Sequence, residues 1–273
     1  MKWDGHTHTR FCYHGSSAEQ ELYLDRAVEQ GFDRYTISEH PPLPEGWIVD
    51  PVLFEELAMP MEELPEYIAF AKEMKKRYDG KLEVTVGLEI DHLPGNYSFT
   101  EQILDQWGHE LEDVVYSVHY LNGVGGMRCI DYTPDDFKVN LLEYYGSMEK
   151  VVDSYYDQVE EAIGRAAKLP MRKRIGHINL IEKFRLVLPQ IEEDQIKQRL
   201  ERIVPLLVQS KVGLDINTAG LRVGTCGKPY VPEWFLAECL NQGVDCVYGS
   251  DSHKPEHVGH GWDWYAEQIA KNR

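Results

Sequence analysis

The chain has no Cys-x-x-Cys pair, and its five cysteines, Cys12, Cys129, Cys226, Cys239 and Cys246, are odd in number and irregularly spaced. That usage argues against a disulfide framework and for reduced thiols, and hence for a cytoplasmic protein. Long apolar runs are missing too: no stretch of about 18 apolar residues occurs. The strand-like Met1 to Asp4 opens the chain without an apolar leader, so a soluble intracellular protein is expected. Basic residues are scarce, 28 against 46 acidic ones, for a net charge of -18. A field of that sign repels nucleic acid and anionic membrane, and neither is expected as a partner. A phosphorylated small molecule would have to be met by focused arginines, whereas a cationic substrate group meets a favourable field. No Gly-x-Gly-x-x-Gly follows a predicted strand, which weakens a dinucleotide-binding reading. Internal repeats and low-complexity linkers are absent as well.

What is present is an alternation. Strands are predicted at the first residues, at 34–38, 82–88, 113–118, 173–176, 212–216 and 245–249, rich in branched and apolar residues. Helices are predicted at about 22–30, 61–78, 100–111, 148–168, 193–210 and 232–241, with one more toward residue 273. Ser16 and Ser17 with Glu19 and Gln20 suggest a capping box for the first, Pro205 a kink in the fifth, and Pro232 a first-turn proline in the sixth. Residues 41–60 hold many prolines and form a long loop able to cover something. Residues 122–146 and 178–192 read as irregular excursions. About seven β-α units imply a parallel sheet closed into a barrel, with residues 1–273 forming one domain. A chain of 273 residues needs no disulfide or structural metal to hold such a core.

The polar residues that need explaining lie just past the strand ends: His6 and His8, Glu39 and His40, Glu89, His119, His177, Asn217, then Asp251 and His253. In a parallel barrel these ends open on one face, where active sites are built. His6 and His8 project to the same side of an extended strand. Either alone is unremarkable, and a His-x-His pair gives two ligands without useful affinity. With His14 in the adjoining loop, however, seven of the eleven histidines gather on one predicted rim. Imidazoles and carboxylates without thiolates suit zinc, manganese or iron. Glu89, on a middle strand, could bridge two ions that share a hydroxide, a strong nucleophile near neutral pH, so the implied chemistry is hydrolysis.

These motifs, His6-Thr-His8, Glu39-His40, Gly-Leu-Glu89-Ile-Asp, His119, His177 and Ser-Asp251-Ser-His253, resemble the polymerase and histidinol phosphatase (PHP) superfamily. Thr-His-Thr-Arg-Phe-Cys-Tyr-His14-Gly and Ser38-Glu39-His40-Pro-Pro-Leu-Pro resemble its histidinol-phosphate phosphatase branch. The resemblance runs from residue 4 to about 260. It implies a distorted (β/α)7 barrel with three divalent metal ions. His6, His8, Glu89 and Asp251 would hold the first, Glu89, His119 and His177 the second, and His14, His40 and His253 the third. It further implies a phosphomonoesterase that hydrolyses histidinol phosphate, with Glu89 and Asp251 central to catalysis.

Two loop arginines fit that reading on their own chemistry. Arg185 and Arg222 follow the fifth and sixth strands and could hold a phosphate bidentately while stabilising transition-state charge. Lys183 and Arg10 are weaker candidates. The amine and imidazole of the substrate call for acidic or aromatic residues, sought in residues 41–60 or around Asp91 and His92. His109 and His257 read as surface residues. The alternatives are a PHP phosphoesterase for another small ester, a metal-dependent amidohydrolase, and a metal-binding barrel without catalysis. A nuclease of the same superfamily is opposed by the net charge. Oligomeric state has no signature in the sequence.

Overall fold

Strand segments rich in branched residues and flanked by helices bury both faces, and that is how the chain is arranged in the computed structural model, described here for residues 1–272. Seven parallel strands run in the order β1 (Trp3–Asp4), β2 (Arg34–Glu39), β3 (Glu83–Asp91), β4 (Asp113–Ser117), β7 (Arg172–Ile175), β8 (Gly213–Asn217) and β9 (Cys246–Gly249). An antiparallel hairpin, β5 (Tyr120–Gly123) and β6 (Gly126–Cys129), branches from the end of β4. No ladder joins β9 to β1. The seam is closed instead by Gly5 N to Tyr248 O at 2.8 Å, Asp251 N to His6 O at 2.8 Å and His8 N to Ser252 O at 2.9 Å. The barrel is therefore nearly closed, and its last bonds lie beside His6, His8 and Asp251.

The helices follow in chain order: α1 (Gln20–Glu29), α2 (Pro51–Leu57), α3 (Leu64–Arg77), α4 (Tyr97–Trp107), α5 (Pro134–Phe137), α6 (Glu143–Tyr145), α7 (Met148–Ala166), α8 (Glu193–Ser210), α9 (Glu233–Asn241) and α10 (Trp262–Lys271). The longest, α7, buries Val151, Val152, Tyr155, Tyr156, Val159 and Ile163, one apolar stripe at helical spacing, against the sheet. Among the described residues no helix is long and apolar enough to cross a membrane. The five cysteines are unpaired.

Several local expectations are corrected. The Ser16/Ser17 capping box is not formed: Glu19 is the N-cap of α1 without a side-chain bond, and Ser16 Oγ instead accepts from Ala18 N at 3.2 Å. Pro232 is the N-cap of α9 rather than a first-turn residue. The excursion at 122–146 contains the hairpin and a run of helical turns. The long loop at 41–60 carries α2, whose Leu53 packs with Leu43, Ile48, Leu93, Tyr120 and Cys129 in a small apolar cluster apart from the main core. That packing holds the loop against the barrel's C-terminal rim.

Candidate metal centre

The strand ends bring the expected residues together. His6 and His8 follow β1, His40 follows β2, Glu89 lies in β3, His119 sits between β4 and β5, His177 follows β7, and Asp251 and His253 follow β9. Glu89 stands at the middle. Its Oε1 is 2.9 Å from His177 Nε2 and 3.5 Å from His119 Nε2. Its Oε2 is 3.0 Å from His6 Nε2 and 3.4 Å from both His8 Nε2 and His40 Nδ1. Asp251 Oδ1 completes this side at 3.2 Å from His8 Nε2. One carboxylate thus turns its two oxygens to two groups of imidazoles. Ligand-type atoms gather accordingly in His6, His8 and Asp251, and in Glu89, His119 and His177.

Carboxylates outside these groups aim the rings. Asp215 Oδ2 accepts from His6 Nδ1 at 2.8 Å, Glu39 Oε1 from His8 Nδ1 at 3.0 Å, and Asp91 Oδ1 from His119 Nδ1 at 2.6 Å. Each bond fixes the tautomer and leaves Nε2 facing the centre, the arrangement that raises the basicity of a metal-binding imidazole. Room for Asp215 depends on Gly249, where an added Cβ would lie 2.1 Å from Asp215 Oδ1. His6 Nε2 and His8 Nε2 are buried and lack a hydrogen-bond partner of good geometry among the described residues. His119 Nε2 and His177 Nε2 lie 3.0 Å apart. Buried imidazole nitrogens that converge on one another and on carboxylates, without pairing well, are a donor set suited to divalent cations.

The electrostatics follow from this crowding. Burial opposes ionisation of Glu89, but His6, His40, His119 and His177 outweigh it and hold the carboxyl well below its usual range. Burial likewise opposes charge on His6, yet Glu89, Asp215 and Asp251 raise its pKa well above the usual value. Asp251 adopts a left-handed φ of 53°, rare for a residue with a side chain. Such strain concentrates at functional positions that the surrounding structure over-determines.

A third gathering lies next to these two. His14 Nε2 is 3.0 Å from His253 Nε2, and the His14 and His40 rings are 5.3 Å apart. Ligand-type atoms of His8, Cys12, His40 and His253 also cluster here. Cys12 was read only as a reduced thiol, and it stands where its sulfur can reach this group. Its thiol is kept protonated by burial, with Glu39 pushing its pKa in the same direction.

A cavity of about 350 Å³ opens on all three groups. Arg222 lines it, its Nη1 and Nη2 donating to the carbonyls of Ser250 at 2.6 Å and Asp251 at 2.5 Å. Arg185 does not line it: the residue is exposed and donates to the Cys226 carbonyl at 3.2 Å. The second cation on the wall is Lys183, 2.9 Å from Asp131 Oδ2. Arg10 instead packs over the Phe70 ring. His257, read as a surface residue, also lines the cavity. Asp215 and Asp131 were missed because each acts through a neighbour. A period-two reading of Asp215-Ile-Asn217 on β8 would have pointed Asp215 to the same side as Asn217.

The comparisons agree with this geometry. Residues 4–219 match the PHP domain family model. The chain is 33% identical to a histidinol-phosphatase of Bacillus subtilis, over 98% of this chain and 100% of that one. Among solved structures, a candidate histidinol phosphatase of Listeria monocytogenes superposes with a TM-score of 0.92 at 33% identity, covering 97% of this chain and 100% of that chain. The fold also matches the histidinol phosphate phosphatase of Lactococcus lactis, solved with Zn, L-histidinol and phosphate. There the TM-score is 0.73 at 17% identity, over 99% of this chain and 93% of that chain. With a family model spanning most of its length and a relative aligned along nearly all of it, the chain belongs to the PHP domain family.

Proposed function

We propose that the chain is a histidinol-phosphatase, a divalent-metal phosphomonoesterase that converts L-histidinol phosphate to L-histidinol and phosphate in histidine biosynthesis. The reading is supported by the full-length similarity to the Bacillus subtilis histidinol-phosphatase. The observation that carries it is the position of Glu89, one carboxylate shared between two imidazole groups on the floor of a cavity that also presents Arg222 and Lys183.

His6, His8, Glu89 and Asp251 would hold one ion, Glu89, His119 and His177 a second, and His14, His40 and His253 a third. Bound zinc, manganese or iron supplies Lewis acidity toward phosphoryl oxygens and lowers the pKa of water to about 7. Glu89 sets the spacing of the first two ligand groups because its oxygens diverge toward them. Asp215, Glu39 and Asp91 keep the imidazole Nε2 atoms turned inward. Arg222 uses two of its five N–H donors on backbone carbonyls, so the guanidinium is fixed with donors to spare for an anion. Lys183, held charged by Asp131 against the effect of burial, adds a second positive charge. Together they neutralise charge on the phosphoryl oxygens without reorganising during the reaction.

Phosphate release from a panel of phosphomonoesters, with manganese, zinc or iron added, tests this reading. The expected result is release from histidinol phosphate in strong preference to other esters. A metal-loaded protein that frees no phosphate from any ester would overturn it, and would leave the amidohydrolase alternative to be assayed.

A further inference from the structure

Histidinol phosphate is anionic at one end and carries an amine and an imidazole at the other. Arg222 and Lys183 offer cations to the first end, and the cavity must offer an anion to the second, because an ammonium moved out of water without a partner is costly. Four acids line the cavity: Glu56, Glu89, Asp131 and Asp251. Glu89 and Asp251 face the imidazole groups. Asp131 is already matched, accepting from Lys183 Nζ at 2.9 Å and from Cys129 Sγ at 3.0 Å. The Glu56 carboxylate has no ion pair and no hydrogen bond among the described residues.

The backbone of Glu56 is nonetheless fixed. Its carbonyl accepts from His14 Nδ1 at 2.8 Å, which ties α2 to the edge of the candidate metal centre. Leu53 and Leu57 of the same helix also line the cavity, and Leu53 is buried in the apolar cluster beneath the loop. Glu56 is exposed where it lines the cavity, so an uncommitted carboxylate stands at the cavity's solvent edge, beside apolar side chains, on a helix that is anchored at both the cavity and the barrel. We infer that Glu56 is a specificity-determining residue whose carboxylate receives the substrate's ammonium group, so that α2 selects an aminoalkyl phosphate over a neutral phosphate ester. The inference rests on the phosphatase reading and names the residue that gives it selectivity.

The test compares wild type with Glu56→Gln and Glu56→Lys on histidinol phosphate and on a neutral aryl phosphate, with metal content measured for each protein. The ratio of kcat/KM for histidinol phosphate to that for the aryl ester should fall about two- to fivefold in Glu56→Gln, the scale of an ion pair at an exposed carboxylate, and further in Glu56→Lys. Metal content should match wild type, because His14 bonds to the Glu56 carbonyl and not to its side chain. An unchanged ratio, or both esters slowed in equal proportion, would overturn the inference while leaving the phosphatase reading intact. A wild-type protein inactive on histidinol phosphate but active on the aryl ester would overturn the histidinol phosphate assignment, and with it this inference, and one inactive on both would overturn the phosphatase reading itself.

Discussion

His92 lies just past the end of β3, and its ring turns away from the cavity toward α7, where Nε2 donates to Gln158 Oε1 at 3.1 Å and Nδ1 has no partner among the described residues. Burial lowers its pKa from 6.5 to about 4, against the opposing pull of Glu161. Between those values the unfolded chain binds a proton that the folded one does not, so stability rises with pH through this window and is lost as pH falls. A shift of that size is worth about 3 kcal/mol once pH is below 4. Urea unfolding at pH values from 7 to 4 should therefore show an acid slope that His92→Asn makes shallower, whatever the variant's absolute stability, with His40 and His253, whose pKa values burial also lowers, supplying part of the remainder. A variant with the wild-type slope would assign the acid loss to other groups. At this scale the sequence was a good guide to ring nitrogens and a poor one to what holds them. A histidine at a strand end is visible as such, but whether it faces the cavity, like His119, or the helix layer, like His92, depends on the packing of α7.

The element that separates this chain from a bare barrel is α2. Seven residues are too few to hold a helix on local bonds, so its persistence depends on what surrounds it. Asp50 caps it, Oδ1 accepting from Val52 N at 3.0 Å and Leu53 N at 3.2 Å, and Pro51 presets the first turn. Replacing Asp50 by Ala should cost about 1 kcal/mol of local stability. Because the cap lies outside the main core, the expected signature is faster limited proteolysis within residues 41–60 and a raised KM, with Tm nearly unchanged. A fall in Tm equal to that of a core substitution would show that α2 is integral to the barrel. The prolines of this segment marked a covering loop, but the short helix within it left no periodic trace, since its apolar residues face both the cavity and the small cluster. The hairpin at Tyr120–Cys129 was missed for a related reason: two short strands around Val124 and Gly125 offer too few residues for alternation to register. The long helices, with several turns of apolar stripe, were legible to within a few residues.

At the scale of the whole molecule, seven strand ends place imidazoles and carboxylates of both kinds in one buried volume. The order of strands and the rim position of His6, His8, Glu89, His119, His177 and Asp251 could be anticipated because a parallel barrel has only one such face. The supporting Asp215 matters only through the ring of a residue more than 200 positions away, so its alternation with Asn217 on β8 was the one mark it left in the sequence. A buried set of this kind is stabilised by any cation that binds the folded state and not the unfolded one. Stripping the protein with a chelator should lower Tm, and readdition of zinc or manganese should restore it. The expected stabilisation is about 4 kcal/mol when free metal exceeds Kd by about a thousandfold. An unchanged Tm with metal verified as removed would mean that the imidazole groups are satisfied without ions.

The seam between β1 and β9 has a consequence in time. The two histidines that follow the first strand are made on the ribosome long before Asp251 and His253, which face them across the seam. The bonds from Gly5 to Tyr248 and from Asp251 to His6 can form only once that late segment has emerged. A nascent or truncated chain lacking it has neither a closed barrel nor a full set of donors for a cation. Closure of the barrel and completion of the donor set thereby wait on the same late-made segment, and the same few contacts serve both.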